Sequence, residues 1–466
     1  MPRNGTRAVT LRIGNGAGFL GDWLDAPRRL VEATRLDYLT LEYLAELTLS
    51  ILARVREKDP TRGYAADFLD VLSSLIPALA AQPQLKIVTN AGGMNPLACA
   101  AAAGKILHDA GLGDTTIGVV TGDDLLGRLD ELAAAGHDFA HFDTGEPLVA
   151  LGKPIVSANA YLGAPPIVEA LASGARIVIT GRVADASLTV GPAMHEFGWR
   201  WDDWPRLAQA SVAGHLIECG AQVTGGYSNT WRDLDLANVG YPIAELEADG
   251  SVTITKPDAS GGAVDRRTVC EQLVYEIGDP RHYLTPDVDV DFTTVEVEEI
   301  GADRVTVRGA SGQAPPDTLK VSIAYRDGYT ASGQLLVIGR DAVERSRACA
   351  AIVFERLRAA GIEPEATNIE CLGAGEGVPG VLAANANATE VMLRIAVRDP
   401  RREAVERFTR EIAPLITGGP AGLAGYAAGR PEVRPVFAYW PARIARDAVQ
   451  VRVDVRAAGD WTATPR

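Results

Sequence analysis

Short apolar runs recur along the first part of the chain, and each is followed directly by a loop rich in glycine, asparagine or acidic residues. The best defined is Ile177–Thr180, which passes straight into Gly181, Arg182 and, three residues later, Asp185. A run that is apolar throughout predicts a strand buried on both faces, as in parallel sheets. Open α/β sheets bind ligands at the carboxyl ends of such strands. We therefore expect a functional site where these loops meet.

The same pattern predicts further strand and loop units, separated by helical patterns. Strands that alternate with helices at this spacing indicate a layered, mainly parallel sheet. The loops that follow them would then lie along one edge of that sheet. The other predicted units are Ala8–Ile13 before a glycine loop, Leu36–Leu41 before Glu42, Lys86–Thr89 before Asn90 and Asn95, Thr116–Val120 before Asp123 and Asp124, and Pro154–Gly163 with Asn159.

The last third of the chain has a different pattern, which predicts an α+β domain of strand-helix-strand units. The fold class is therefore α/β, with a layered, mainly parallel sheet domain over 1–285 followed by an α+β domain over 286–466. The elements predicted in the last third are a hairpin of Leu319–Tyr325 with Gln334–Ile338, the helices Ala342–Ala359 and Arg402–Leu415, and the strands Thr367–Leu372, Val391–Val397, Val436–Tyr439 and Val449–Val455.

Length, charge and cysteine content narrow the class of protein. A chain of 466 residues is long enough for two or three domains, and its net charge of −15 argues against nucleic acid or anionic membranes as partners. Its five cysteines are spread out without a CxxC pair, so neither a disulfide framework nor a structural zinc site is indicated. No apolar signal region follows Met1, and no run reaches the length of a membrane span. We expect a cytoplasmic homo-oligomer that takes a small-molecule substrate.

The first group of catalytic candidates is His215, Glu218 and Cys219. His215 and Glu218 are three residues apart, so on a helix they would share a face. A histidine, a carboxylate and a thiol together could serve as base, acid and nucleophile, or as metal ligands. The alternative for Cys219 is that of a small buried residue.

Asp123, Asp124 and Asp185 are the second group of catalytic candidates. Adjacent aspartates after a buried strand are unfavourable unless they are solvated, cap a helix or bind a cation. Asp123 and Asp124 are therefore interpreted either as caps or as groups that move protons or hold a divalent cation, and Asp185 is assigned to the same chemistry. The sequence assigns no cofactor beyond this open alternative of a divalent cation.

Amides and cations after the strands are candidates for substrate binding. A guanidinium such as that of Arg182 offers a forked pair of hydrogen bonds to a carboxylate or thioester oxygen. The alternatives are a helix-dipole partner for Glu42 and a tight turn for Asn90 and Asn95. The full set of binding candidates is Asn15, Glu42, Asn90, Asn95, Asn159, Arg182 and Lys256.

The loop Gly14–Gly21 after the first predicted strand is a separate candidate. Its glycines permit close backbone approach, and a helix behind it would offer free N–H groups to an anion. The glycine spacing does not fit a dinucleotide fingerprint. The loop is therefore either a phosphate cradle, a structural turn or a contact to another ligand.

Several of these stretches together resemble the acyclic terpene utilisation (AtuA-type) family, and they run in family order across most of the chain. The resemblance implies catabolism of branched or terpenoid acids as coenzyme A thioesters, so coenzyme A would enter as part of the substrate. It supplies no agreed reaction and no catalytic residues. Longer members carry a small extra C-terminal domain, which we expect this chain to lack. The matching stretches are 13–19, 41–46, 89–96, 122–124, 181–185, 214–219 and 271–276.

Three functions follow as hypotheses. The first is an enzyme of lyase, hydratase or hydrolase type that acts on a branched or terpenoid carboxylic acid or its coenzyme A thioester. The second is a non-catalytic binding or assembly subunit of an acyl-CoA pathway. The third is a nucleotide-dependent enzyme that uses the loop Gly14–Gly21.

Overall fold

The computed structural model describes residues 10–462, except 379 and 426–428. It confirms the predicted α/β class, with a large mixed sheet whose middle strands are parallel and further antiparallel sheets. The predicted first strand, Ala8–Ile13, includes two positions outside the described residues.

The described strands are, in chain order, β1 (Leu11–Asn15), β2 (Tyr38–Leu41), β3 (Lys86–Thr89), β4 (Thr116–Thr121), β5 (Ile155–Ala160), β6 (Ile177–Thr180), β7 (Ile243–Leu246), β8 (Val252–Thr255), β9 (Tyr283–Leu284), β10 (Asp289–Asp291), β11 (Glu296–Gly301), β12 (Arg304–Arg308), β13 (Ser311–Gln313), β14 (Thr318–Ile338), β15 (Ala366–Leu372), β16 (Glu390–Asp399), β17 (Leu423–Gly425), β18 (Arg434–Ala445) and β19 (Arg452–Ala457). The described α-helices are α1 (Ala26–Ala33), α2 (Glu46–Lys58), α3 (Asp67–Ala81), α4 (Pro96–Asp109), α5 (Leu129–Ala134), α6 (Pro165–Ala172), α7 (Ser187–Phe197), α8 (Trp204–Glu218), α9 (Arg266–Leu273), α10 (Ala342–Ala359), α11 (Arg402–Ile412), α12 (Leu415–Gly418) and α13 (Ala458–Trp461).

The largest sheet has the strand order β11-β12-β8-β7-β1-β2-β3-β6-β4-β19. Its middle strands, from β1 to β4 in this order, are all parallel, and the strands on either side are antiparallel. The strands β2 and β6 are fully buried, as their uniformly apolar pattern predicts. Because the middle strands are parallel, the loops after β1, β2, β3, β6 and β4 share one edge.

The core of this sheet explains why it holds together. Apolar side chains of the strands, such as Leu39, Ile87 and Ile179, are fully buried in one cluster with Phe68 and Leu72 of α3. Each buried side chain of this size contributes about 1.5–3 kcal/mol through removal of apolar surface from water. The strand ends that carry the polar loops are therefore fixed by a continuous apolar core.

The chain divides into two compact units, Met1–Ala324 with Tyr439–Arg466, and Tyr325–Ala438. These bounds differ from the predicted ranges 1–285 and 286–466, because residues 286–324 and 439–466 fall in the first unit. In the second unit, strands in the order β15-β16-β14-β17 pack against α10 and α11 around their own apolar core. This agrees with the predicted α+β pattern.

One predicted strand pairing and the predicted positions of two further strands are wrong. The predicted hairpin of Leu319–Tyr325 with Gln334–Ile338 is one continuous strand, β14, whose second half pairs with β16 instead of with its own first half. The strand β5 pairs with β14 and lies outside the large sheet. The strand β19, expected in the second domain, lies beside β4 in the large sheet. In each case the partner strand is distant in sequence, and no local pattern specifies it.

Candidate functional site

A cavity of about 690 Å³ lies in the first unit at the edge of the large sheet where the middle strands end. The loops after β1, β2 and β6 line it, together with the end of α8 and the first part of β14. Its volume is within the range of small-molecule sites. The ionisable side chains in its wall are Glu42, Glu46, Tyr161, Arg182, Asp185, His215, Glu218, Cys219, Tyr275, Glu276, Tyr283, Lys320 and Arg443.

His215 and Glu218 form a hydrogen-bonded pair at the end of α8, as their spacing predicts. Nδ1 of His215 lies 3.1 Å from Oε1 of Glu218, and Nε2 lies 2.9 Å from the carbonyl oxygen of Gln272. The imidazole is almost fully buried, and the ring of Phe292 packs edge-on against it. Both ring nitrogens are therefore held, and the histidine itself has no free nitrogen for a substrate.

The partners of the imidazole locate its protons. A carbonyl oxygen only accepts hydrogen bonds, so Nε2 must carry a hydrogen, and the second proton lies between Nδ1 and the Glu218 carboxylate. Burial alone would lower the pKa of His215, but the hydrogen bond and charge of Glu218 raise it. Burial raises the pKa of Glu218 to about 7, although the hydrogen bond from His215 opposes this. The pair thus retains one proton close to neutral pH.

The second carboxylate oxygen of Glu218 is the unpaired atom of this pair. Oε2 is buried and has no hydrogen-bond partner in the protein. The Glu218 side chain is part of the cavity wall. A buried polar atom without a partner costs free energy unless a ligand or water satisfies it. Glu218 is therefore suited to give or take a proton, and His215 to position and stabilise it.

Arg182 is a buried cation in the same wall. Its Nη1 donates to the carbonyl oxygen of Leu44 at 2.7 Å and lies 2.8 Å from Oδ1 of Asp185. The guanidinium stacks on the ring of Tyr161, 4.1 Å from its centroid, and its Nε has no hydrogen-bond partner. Burial raises the pKa of Asp185, and Arg182 opposes this rise. The Nε–H of the guanidinium is therefore a buried donor without a partner in the protein.

The Tyr161 ring also contacts a second charged group, formed by Glu46 and Lys320. Nζ of Lys320 lies 4.7 Å from the ring centroid and donates to Oε1 of Glu46 at 3.0 Å. The Tyr161 hydroxyl donates to the same oxygen at 2.5 Å. Burial alone would raise the pKa of Glu46, but Lys320 and the Tyr161 hydroxyl lower it to about 2. Glu46 is therefore a fixed negative charge.

Glu42 lines the cavity directly after β2, where the sequence places it, and is 4% exposed. Its Oε1 accepts the Leu44 backbone N–H at 3.0 Å and an N–H of the Asn90 side-chain amide. Oδ1 of Asn90 accepts the Tyr43 N–H at 2.8 Å. Asn90 does not line the cavity. It holds Glu42 in place instead of contacting a ligand.

Asp123 and Asn159 support Arg182 in a similar way from behind the cavity wall. Oδ2 of Asp123 accepts the Arg182 backbone N–H at 2.8 Å and the Asn159 amide at 2.9 Å. Burial raises the pKa of Asp123 to about 6. Neither Asp123 nor Asn159 is part of the cavity wall. Their polar atoms fix the loop after β6.

Four further candidates form hydrogen bonds or ion pairs outside the cavity. Asn15 donates to the carbonyl oxygens that end α8, and Asn95 caps the N-terminus of α4. Asp124 forms an ion pair with Arg56, and Lys256 forms one with Asp303. None of these four candidates lines the cavity, and only Asn95 acts as the cap that was its alternative. Asn15, Asn95, Asp124 and Lys256 thus stabilise the fold around the site.

Cys219 lies at the end of α8 and lines the cavity. Burial, and next the charge of Glu218, raise the pKa of its thiol to about 12. Only the thiolate is a good nucleophile. The surroundings of Cys219 therefore oppose covalent catalysis at neutral pH.

The loop Gly14–Gly21 packs against the end of α8. A Cβ on Gly18 would lie 2.8 Å from the backbone carbon of Cys219, so this close approach requires glycine. The amides of Gly18 and Gly21 donate to the carboxylates of Asp22 and Asp67. Amides that already bind carboxylates do not form a phosphate cradle. The geometry favours the structural turn over the nucleotide hypothesis.

The arrangement of the acidic side chains bears on the alternative of a divalent cation. Among the described residues, no group of three or more histidine, cysteine, aspartate or glutamate side chains is arranged to hold a metal ion. The geometry therefore gives no support to the open alternative of a divalent cation.

Sequence reasoning missed several residues of the wall, notably Glu46, Tyr161, Tyr283 and Lys320. Tyr161 directly follows the strand that contains Asn159, so its position after a strand end could have marked it as a site residue. Lys320 reaches Glu46 across 274 residues of sequence, and no motif marks it.

The wall also contains apolar side chains. Phe19, Phe142 and Leu284 line the cavity and are exposed by 58%, 40% and 55%, respectively. Leu44, Pro286 and Pro316 extend this surface. The cavity thus contains both buried acids and apolar side chains.

A family model described as acyclic terpene utilisation family protein AtuA matches residues 11–455. The chain belongs to this family. The match covers the described part of the AtuA chain almost completely, including every cavity residue named above, and confirms the resemblance carried by its motifs.

No curated protein and no solved structure matches this AtuA family member. Within its described residues, no helix has both the length and the apolar character needed to cross a membrane.

Proposed function

We propose that this protein is an enzyme of lyase or hydratase type that acts on a branched, acyclic terpenoid acid or its coenzyme A thioester. The observation that carries the proposal is Glu218, whose Oε2 is buried, unpartnered and in the cavity wall while Oε1 bonds to His215. A carboxylate with a pKa near 7 is poised for general acid–base catalysis at neutral pH.

Proton transfer by Glu218 fits the chemistry of such substrates. In the dehydration direction, Oε2 takes a proton from the carbon next to the carbonyl, and the C–H electron pair passes through the enolate to form a double bond to the next carbon. The hydroxyl on that next carbon leaves as water with the proton that Glu218 took. In the reverse direction, Glu218 returns the proton to that carbon. His215 shares the transferred proton through Nδ1 and so stabilises the pair in both states. A hydrolase that uses Cys219 is less favoured because its thiol has a raised pKa.

Other residues of the cavity wall fit the hydrocarbon chain and the acid group of such a substrate. The apolar surface of Phe19, Phe142 and Leu284 matches a branched hydrocarbon chain, whose burial favours binding. The family description, acyclic terpene utilisation, names compounds with such chains. The free Nε of Arg182 offers a hydrogen bond to an oxygen at the acid end.

The proposal is tested with citronellic acid, an acyclic terpenoid acid, and its coenzyme A thioester, alongside unsaturated thioesters of the same skeleton. Binding is measured by calorimetry, and proton exchange at the carbon next to the carbonyl is followed by NMR in D₂O. Wild-type protein should bind one probe and catalyse exchange or water addition. Glu218→Gln should lower the rate by about 10³-fold, within the usual range for a general acid or base.

A matched control is Glu32→Gln, which changes an exposed glutamate of α1 that pairs with Arg28. It should leave the rate unchanged. Binding of a probe without exchange or turnover in any variant would refute the enzyme and favour the non-catalytic binding subunit. Absence of binding to every probe would refute the substrate class.

A further inference from the structure

Glu42 is the second carboxyl group of the cavity with a buried, unpartnered oxygen. Its Oε1 already accepts two N–H donors, from Leu44 and from the Asn90 side chain. Its Oε2 has no partner, and the side chain is 4% exposed in the cavity wall. An oxygen that accepts two donors behaves as the carbonyl oxygen of a carboxylic acid, which leaves Oε2 as the position for the hydrogen.

The surroundings of Glu42 favour this neutral form. Burial, and next the charge of Asp185, raise its pKa well above the ordinary value. Arg182 opposes this, but its Nη1 is 4.0 Å from Oε1 of Glu42 and only 2.8 Å from Asp185. The guanidinium charge is therefore directed mainly at Asp185. A neutral carboxylic acid in an apolar site can donate a strong hydrogen bond to a substrate oxygen.

We infer that Glu42 is a neutral carboxylic acid whose Oε2–H donates a hydrogen bond to the carbonyl oxygen of the substrate. This inference rests on the proposed function and adds a second catalytic residue to it. Glu218 would move the proton at carbon, while Glu42 would stabilise the negative charge that develops on the carbonyl oxygen. The reacting end of the substrate is then a thioester or acid carbonyl.

The test compares Glu42→Gln with Glu42→Met. Glutamine keeps an oxygen for the Leu44 and Asn90 donors and places an NH₂ donor at the position of Oε2, whereas methionine has no donor. Calorimetry with citronelloyl-CoA and the proton-exchange rate are measured for both. Glu42→Gln should keep the affinity within about threefold and the exchange rate within about tenfold. Glu42→Met should lower the exchange rate by about 10²-fold or more.

Equal loss in the two variants, with wild type active, would overturn the inference and leave the proposed function intact, because it would show that the negative charge of Glu42 is needed. A Glu42→Met enzyme that exchanges at the wild-type rate would overturn it as well.

A second readout needs no substrate. Infrared difference spectra at pH 8, wild type minus Glu42→Gln, should contain the C=O stretch of a protonated carboxyl. A carboxylate band in its place would overturn the inference even if no probe binds. Glu46→Gln is the matched control, since the lowered pKa of Glu46 makes it a carboxylate at this pH.

Discussion

Two groups of acids in one cavity have opposite electrostatic environments. Glu218 and Glu42 are both buried, and one carboxylate oxygen of each has no hydrogen-bond partner in the protein. Burial raises the pKa of both. Glu46 accepts hydrogen bonds from Lys320 and Tyr161, and its pKa is lowered to about 2. Burial therefore favours the protonated form of Glu218 and Glu42, whereas Glu46 remains charged.

The difference shows that residue type alone does not identify a catalytic acid. All three are glutamates that line the same cavity. What distinguishes them is whether a cation offsets the cost of burial. Arg182 lies between the two groups, since it contacts Asp185 on one side and stacks on Tyr161 on the other.

Replacement of this central cation should have the largest effect. Arg182→Met is expected to lower the free energy of unfolding by about 3 kcal/mol, because it leaves Asp185 as a buried carboxylate without its cation. Urea denaturation measures this change. The control Arg28→Met removes an exposed ion pair on α1 and should cost less than about 1 kcal/mol. Equal losses of unfolding free energy in the two variants would show that Arg182 does not stabilise the buried charges of the site.

Loss of the partner of Glu218 should come next. His215→Gln is expected to lower kcat by about 10²-fold. The hydrogen bond and charge of His215 lower the pKa of Glu218, so their removal should move the midpoint of the pH–rate profile upward. Proton exchange measured from pH 5 to pH 9 checks both effects. A lower rate with an unmoved midpoint would mean that His215 has only a structural role.

The charged group around Glu46 should have a smaller effect. Glu46→Gln is expected to raise KM about fivefold, the cost of roughly one hydrogen bond, because Lys320 and Tyr161 lose their charged acceptor. The ratio to wild type should be the same at pH 6 and pH 8, since Glu46 is ionised at both. Steady-state kinetics at these two values tests this. An effect confined to one pH would contradict the assignment of a fixed charge.

Cys219→Ala should have the smallest effect. Because the raised pKa keeps the thiol protonated at neutral pH, we expect kcat to change by less than about twofold. The rate and the melting temperature should be measured together. A loss of 10²-fold or more with an unchanged melting temperature would restore the nucleophile hypothesis.

Much of the first unit follows from local sequence patterns. Apolar runs that end at polar loops correctly predict β2, β3, β4 and β6 and place Glu42, Arg182 and Asp185 together. The spacing of His215 and Glu218 correctly predicts a shared helix face. These features depend only on residues that are close together in the sequence, so local patterns are enough to predict them.

The features that the sequence does not show depend on distant partners. The continuous strand β14 replaces a predicted hairpin because its second half pairs with β16. Lys320 on this strand then completes the group around Glu46. Similarly, Asn90 and Asp123 were placed at the correct edge, but only the three-dimensional contacts show that they hold Glu42 and Arg182 instead of a ligand.

The most direct test of the central claim is a ¹³C NMR titration of protein labelled at the glutamate side-chain carboxyls, with Glu218→Gln used for assignment. Wild-type protein should show a resonance with a midpoint near pH 7 that is absent from the variant. A Glu218 resonance that titrates near the ordinary glutamate pKa of about 4.3 would contradict the account.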